Sequence, residues 1–287
     1  MTDYYSTIID SNTLAGHLNR PDWRVIDCRF DLFKPSAGLA AYQAGHIPGA
    51  LYANLNQDLS GPVTPTSGRH PLPDVEVFVQ KLGEWGITPT TQVVVYDGQT
   101  GALAARLWWM LRWVGHRHVA VLDGGLQDWQ SQTRPLETAS CTYPATVYPA
   151  HIDDACRLSV DEVENGLANS GIVLIDARDP GRFAGTADEP LDKMAGHIPG
   201  SVNLPFMDNL DKNGKFKTAD QLRRRFSQIV TQYPEKKSVH SCGSGVTACH
   251  NILAMEIAEL DAGYLFPGSW SEWITDPARG VASEKET

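Results

Sequence analysis

The apolar residues of this chain fall into short unbroken runs, separated by longer stretches in which apolar positions recur every three or four residues. Arg24 to Asp27, Ala50 to Tyr52, Gln92 to Tyr96 and Val119 to Leu122 are runs of the first kind, dominated by Val, Ile and Leu. They predict strands covered on both faces, because a strand with one wet face alternates apolar and polar residues. Val75 to Trp85 and Leu103 to Val114 carry the helical period, and later in the chain Lys237 to His240 predicts a strand leading into a helix from Val246 to Leu260. Strands alternating with helices predict an α/β protein with a mostly parallel sheet flanked by helices on both faces. In such sheets binding sites form at the carboxyl ends of the strands.

The pattern is written twice. Val25-Ile26-Asp27-Cys28-Arg29 returns as Leu174-Ile175-Asp176-Ala177-Arg178, and Ala44-Gly45-His46-Ile47-Pro48-Gly49-Ala50 returns as Ala195-Gly196-His197-Ile198-Pro199-Gly200-Ser201. Gly124-Gly125-Leu126-Gln127-Asp128-Trp129 has its counterpart in Pro267-Gly268-Ser269-Trp270-Ser271-Glu272-Trp273. A period of about 150 residues is domain-sized and too long for a solenoid, so the chain is a duplicated domain. The predicted boundaries are 8–137 for the first copy and 157–287 for the second, joined by a linker over 138–156 that is rich in Pro, Thr and Ala and lacks a helical period.

Composition narrows the class. The 287 residues are 42% apolar and 20% charged, and no apolar stretch reaches membrane-spanning length, so a soluble two-domain protein is expected. Met1-Thr2-Asp3-Tyr4-Tyr5 lacks the basic and apolar regions of a signal peptide, and the five cysteines are irregularly spaced, which predicts reduced thiols in the cytoplasm. A formal charge of −10 argues against a nucleic-acid partner. An anionic substrate would have to be drawn by a local positive pocket.

One cysteine stands out. Cys242 lies in Ser241-Cys242-Gly243-Ser244-Gly245-Val246-Thr247-Ala248, between a predicted strand and the start of a predicted helix. A helix N-terminus presents unpaired amides and partial positive charge, which stabilise a sulfur anion. Gly243 and Gly245 let the backbone curl so that the amides from Gly243 to Thr247 converge as an anion-binding cup with a nucleophile at its base.

Two copies of Ile-Asp-x-Arg, Gly-His-Ile-Pro-Gly, strand–loop–helix and Gly-x-x-x-Trp, spanning Val25 to Trp273, resemble the tandem-domain rhodanese superfamily of sulfurtransferases. Cys242-Gly243-Ser244-Gly245-Val246-Thr247 is similar to the loop of its 3-mercaptopyruvate branch, whereas the thiosulfate branch usually carries Cys-Arg-Lys-Gly-Val-Thr. The resemblance implies two tandem rhodanese-like domains, and a double displacement that needs no cofactor and no metal. Cys242 takes a sulfane sulfur from 3-mercaptopyruvate, releases pyruvate, holds the sulfur as a persulfide and passes it to a thiol or cyanide. The implied partners are a small-molecule donor and a small or thioredoxin-like acceptor, with neither nucleic acid nor membrane. Thiosulfate:cyanide transfer and a non-enzymatic sulfur-carrier or regulatory module are the alternatives.

The same resemblance assigns candidate residues around the Cys242, Gly243, Ser244, Gly245, Val246 and Thr247 loop. Arg182, in Asp179-Pro180-Gly181-Arg182-Phe183, matches the arginine that holds the donor's anionic group. The family's second arginine is absent after Glu189-Pro190, where Leu191-Asp192-Lys193 follows, and Lys193 is the candidate replacement. His46 is a candidate for a Cys-Ser-His relay with Cys242 and Ser244, although its equivalence to His197 favours a fold-maintaining role for both. Asp97 occupies the place of Cys242 in the first copy, and a carboxylate cannot carry sulfur, so the first domain is expected to be catalytically silent. Asp27 and Asp176 are expected to fix loops by accepting backbone N–H groups, and Cys249 and the tryptophans Trp108, Trp109 and Trp113 to pack in the core.

Rival readings fail on particular positions. Gly243 to Ala248 also satisfies a dinucleotide fingerprint, but about 40 residues follow it, too few for the remaining strands of a nucleotide-binding half. A cysteine phosphatase of the superfamily needs arginine where Ala248 stands. Cys242, Cys249 and His250 lack the paired spacing of a zinc site.

Overall fold

The continuous apolar runs become strands with both faces covered. In the computed structural model, which describes residues 4–187 and 191–284, the chain divides into two compact units. Unit 1 is built from the residues up to Gly61, Leu72–Asp153 and Lys212–Phe216; unit 2 from Pro62–Pro71, Asp154–Asp211 and the residues from Lys217 onward. Each unit therefore draws a short segment from the other's stretch of sequence.

Unit 1 runs β1 (Ile8–Ile9), α1 (Ser11–Ala15), β2 (Trp23–Asp27), α2 (Ser36–Ala44), β3 (Ala50–Tyr52), α3 (Val75–Glu84), β4 (Gln92–Tyr96), α4 (Ala104–Trp113), β5 (Val119–Leu122) and α5 (Gly125–Ser131). Its five strands are all parallel, in the order β1-β5-β4-β2-β3. Every residue of β2, β4 and β5 is buried, as runs dominated by Val, Ile and Leu predict. Trp108, Trp109 and Trp113 of α4 are buried too. Residues 138–153 form no helix or strand and are tied to unit 1: the amides of Thr146, His151 and Asp153 donate to the carbonyls of Gly83, Val114 and Trp113 at 2.9, 3.1 and 2.9 Å.

Unit 2 repeats the scheme with α6 (Val160–Ala168), β6 (Ile172–Asp176), α7 (Pro180–Ala184), β7 (Val202–Asn203), α8 (Ala219–Gln232), β8 (Lys237–Ser241), α9 (Thr247–Ile257), β9 (Tyr264–Leu265) and α10 (Ser269–Trp273). Its four strands are parallel in the order β7-β6-β8-β9, packed against Val163, Ile198, Phe266, Trp270 and Trp273. The helix expected to reach Leu260 stops at Ile257, and Glu259 just beyond it takes a left-handed φ of 56°.

The duplicated motifs are structural latches. Asp27 accepts the amide of Arg29 at 2.9 Å and its guanidinium at 2.6 Å, and Arg29 also donates to the Gly45 carbonyl at 2.8 Å. Asp176, Arg178 and Gly196 repeat this at 2.9, 2.7 and 2.9 Å. Ile-Asp-x-Arg thus locks each strand end to the Gly-His-Ile-Pro-Gly loop of its own unit. Among the described residues no helix is long and apolar enough to cross a membrane.

Candidate functional site

Cys242 immediately follows β8 at its carboxyl end and is 2% exposed. The loop it opens is fixed from two sides. Gly245 has φ +73°, and a methyl group there would stand 2.2 Å from the Pro267 carbonyl oxygen, so only glycine fits. From the other side, Trp270 N–H donates to the Cys242 carbonyl at 3.0 Å and Ser271 N–H to the Gly243 carbonyl at 2.9 Å. Unit 1 makes the same pair of bonds from Leu126 and Gln127 to Asp97 and Gly98, each at 2.9 Å. Asp97 is therefore the positional equivalent of Cys242.

The equivalence shows what the loop can hold. In unit 1 the Asp97 carboxylate accepts amides from Gln99, Gly101, Leu103 and Ala104 at 3.1, 2.9, 2.9 and 3.4 Å. Burial pushes this carboxyl above its ordinary range, and those amides oppose the shift. A cavity of about 580 Å³ opens beside it, lined among others by Arg29, Gln99 and Thr100. A loop of this kind between a parallel strand and a helix is an anion cradle; unit 2 puts a thiol at its base.

Two arginines flank the Cys242 loop within unit 2. A methyl group on Gly243 would stand 2.8 Å from Arg69 Nη2 and 3.6 Å from Arg182 Nη2. Arg182 comes from α7, where Asp179 caps the helix by accepting the Gly181 amide at 2.8 Å. Arg69 comes from the Pro62–Pro71 segment, with its amide on Ser271 Oγ at 3.0 Å and Nη1 on the Leu191 carbonyl at 3.2 Å. Asp192 binds both guanidiniums, Arg69 through Oδ1 and Arg182 through Oδ2, the latter at 3.2 Å. The loop itself supplies only dipoles and a hydroxyl, as its sequence implies, but two guanidiniums and the carboxylate that joins them stand beside it.

His70, the residue after Arg69, is 5% exposed, and its Nδ1 lies 2.7 Å from Ser244 Oγ. The histidine beside Ser244 is thus His70. His46 is completely buried in unit 1, with Nδ1 on the Tyr42 carbonyl at 2.7 Å, Nε2 on the Ala139 carbonyl at 3.3 Å and its ring stacked on Tyr42. His197 makes the matching stack and bond with Phe183, so one structural role explains both copies. Lys193 is exposed, and its neighbour Asp192 is the residue turned inward, with a side chain 2% exposed. Glu189 and Pro190 lie outside the described residues. Cys249 is buried in α9 with Sγ on the Gly245 carbonyl at 3.3 Å.

Sequence reasoning missed Arg69, His70 and Asp192. Ser67-Gly68-Arg69-His70-Pro71 has no counterpart in the second copy and no period, so its only signal was a basic pair in a Pro- and Thr-rich loop.

Comparison with known proteins agrees with this architecture. The model of the rhodanese-like domain matches twice, over residues 10–132 and 159–276. A probable 3-mercaptopyruvate sulfurtransferase of Pseudomonas aeruginosa is 44% identical over 96% of this chain and 98% of its own length. A putative thiosulfate sulfurtransferase of Mycobacterium tuberculosis is 37% identical over 96% of both. Among solved structures, the 3-mercaptopyruvate sulfurtransferase of Leishmania major superposes with a TM-score of 0.82 at 32% identity, over 93% of this chain and 74% of that one.

Proposed function

The chain belongs to the rhodanese-like family as a sulfurtransferase of the 3-mercaptopyruvate and thiosulfate group, and from that premise we propose that it moves sulfur from 3-mercaptopyruvate through a persulfide on Cys242. The observation that carries this reading is the cluster in unit 2: a buried thiol at a strand end, two guanidiniums against Gly243 and a histidine on Ser244.

The donor's carboxylate binds Arg182 and Arg69, which offer planar paired donors to such a group. The Cys242 thiolate attacks the donor sulfur; the new S–S bond forms as the C–S bond breaks, and its electron pair passes into the enolate of pyruvate. The proton that the donor sulfur brought passes to the enolate carbon, which completes pyruvate and leaves the outer sulfur of the persulfide anionic. Ser244 Oγ, bonded to His70 Nδ1, is the group placed to relay that proton. An acceptor thiolate or cyanide then attacks the outer sulfur and returns Cys242 as thiolate. The anionic outer sulfur is stabilised as the Asp97 carboxylate is in unit 1, by backbone amides of the strand–loop–helix turn. Domain 1 in this reading is catalytically silent, because Asp97 stands where the thiol would be.

Arg182 and Arg69 would also receive a sulfonate, so thiosulfate is the second donor to compare. The test is turnover with each donor at matched concentration, together with peptide mapping of the sulfur-loaded protein. One added sulfur on Cys242, absent in Cys242→Ser, and a higher kcat/KM for 3-mercaptopyruvate are expected. Persulfide on another cysteine, or retained turnover in Cys242→Ser, overturns the mechanism; a higher kcat/KM for thiosulfate overturns the donor.

A further inference from the structure

We propose that Ser271 is a positioning residue that sets Arg69 and His70 in register with the Cys242 loop. The inference rests on the reading above, in which Arg69 receives the donor's anionic group and His70 serves Ser244.

Two consecutive residues of the Pro62–Pro71 segment meet two consecutive residues of the loop, all within unit 2. Arg69 Nη2 stands 2.8 Å from the place of a methyl group on Gly243, and His70 Nδ1 lies 2.7 Å from Ser244 Oγ. A slip of one residue in either direction would bring Gly68 or Pro71 to the loop and take away one of these two side chains. The chemistry therefore needs one register.

Ser271 touches both partners. Its backbone N–H donates to the Gly243 carbonyl at 2.9 Å, and its Oγ accepts the backbone N–H of Arg69 at 3.0 Å. The hydroxyl spends its own proton on the Gly268 carbonyl at 3.2 Å, so its oxygen faces Arg69 as an acceptor. The side chain is 7% exposed. Gly68 lets the segment come this close: a methyl group there would stand 2.7 Å from the Gly268 carbonyl oxygen and 2.9 Å from Ser271 Oγ. One residue of α10 thus grips the loop by its main chain and the segment by its side chain.

The duplication separates these two roles. In unit 1 Gln127 holds the matching place, with its N–H on the Gly98 carbonyl at 2.9 Å, so the grip on the loop is common to both units. The segment that unit 1 draws in, Lys212–Phe216, meets carboxylates there, with Phe216 N–H on Asp123 at 2.8 Å and Lys215 Nζ on Asp128 at 2.7 Å. The hydroxyl that receives Arg69 belongs to the unit with the thiol.

Ser271→Ala removes the hydroxyl and keeps the N–H on Gly243. Because Arg69 acts on donor binding and His70 on the proton, the donor KM is expected to rise and kcat to fall in this one variant. Each should change about three- to tenfold, the worth of one hydrogen bond, and the pH–rate profile should move toward that of His70→Ala. Ser271→Thr, which keeps the hydroxyl, is expected to restore both constants. Adding Ser271→Ala to His70→Ala is expected to lower kcat no further, and adding it to Arg69→Ala to raise KM no further, because Ser271 acts through those residues. The proposal is overturned if a folded Ser271→Ala protein shows only a lower unfolding midpoint, or if its kinetic losses add in full to those of His70→Ala and Arg69→Ala. Should Ser271→Ala not fold, Gly68→Ala displaces the segment with Ser271 intact and is expected to give the same joint change in KM, kcat and pH profile; unchanged kinetics in that variant overturn the proposal equally. Failure of the underlying reading looks different, because the wild-type protein would then form no Cys242 persulfide with either donor.

Discussion

Ser269 Oγ accepts the backbone N–H of Cys242 at 3.0 Å and donates to the Phe266 carbonyl at 2.9 Å, so the Cys242 amide is held by a hydroxyl from α10. Ser269 is fully buried and has φ +54°, a left-handed conformation that costs a residue with a Cβ. Gly125, at the same place in unit 1, has φ +57° and no hydroxyl. Unit 2 tolerates the strain where the hydroxyl has an amide to hold. Ser269→Ala keeps the strain and leaves a buried N–H unpaired, which should lower stability by about 1–3 kcal/mol in urea unfolding and reduce kcat. Ser269→Gly should lose less stability than Ser269→Ala, because glycine adopts this φ freely.

Arg69→Ala and Arg182→Ala should each raise the donor KM more than they lower kcat, by a factor of about ten to a hundred, the worth of one charge-assisted hydrogen bond. Lys193→Ala should leave steady-state kinetics near wild type, since that side chain is exposed. A rise in KM for Lys193→Ala matching that of Arg69→Ala would return Lys193 to the donor site.

His70 and His46 should separate cleanly. His70→Ala should lower kcat and reshape the pH–rate profile, because it removes the partner of Ser244 Oγ. His46→Ala should leave kcat per folded molecule unchanged while lowering stability, since it removes a buried ring stacked 3.9 Å from Tyr42 and two carbonyl contacts. An unaltered pH–rate profile in His70→Ala would exclude the relay.

Asp97→Asn should act on stability and not on turnover. Four amides converge on the carboxylate, and an asparagine side chain offers one acceptor oxygen and an NH2 group that faces donors. A loss of about 1–3 kcal/mol in thermal or urea unfolding is expected, with kcat unchanged. A large fall in kcat in a folded Asp97→Asn protein would show that unit 1 takes part in the chemistry.

Two buried histidines set an acid limit on stability. Burial depresses His240, on β8 two residues before Cys242, from 6.5 to about 4, and depresses His116 likewise to about 4, with His118 adding to the effect there. Each stays neutral in the folded protein while the unfolded chain takes up a proton. Their contribution is therefore complete above pH 6.5 and is lost as pH falls from 6.5 toward 4, at about 1.4 kcal/mol per pH unit for each group. Urea midpoints measured across this range should show the decline. His240→Val, which installs the residue found at the matching position of β4, Val95, should flatten it.

The periodicities foresaw most strands within a residue or so, because a parallel strand buried on both faces is rich in consecutive apolar residues, and that is a local property of the chain. β1, two residues long, and the two-residue strands β7 and β9 were not foreseen, since their pairing depends on neighbours far along the chain. The Cys242 loop was legible for a similar local reason: its nucleophile, its glycines and its helix start are contiguous.

What the sequence determined by itself was what lies in continuous or repeated stretches: the α/β class, the duplication, the aspartates that fix the backbone after each strand and the loop that begins at Cys242. Tertiary structure alone decided which charged groups stand beside that loop. Arg69 and His70 lie more than a hundred residues before Ser244 and reach it because Pro62–Pro71 packs with unit 2, and Asp192, not Lys193, turns inward because two guanidiniums need a buried counter-charge. The backbone of a loop is written in its own residues, whereas its electrostatic surroundings come from segments that approach only when the chain has folded.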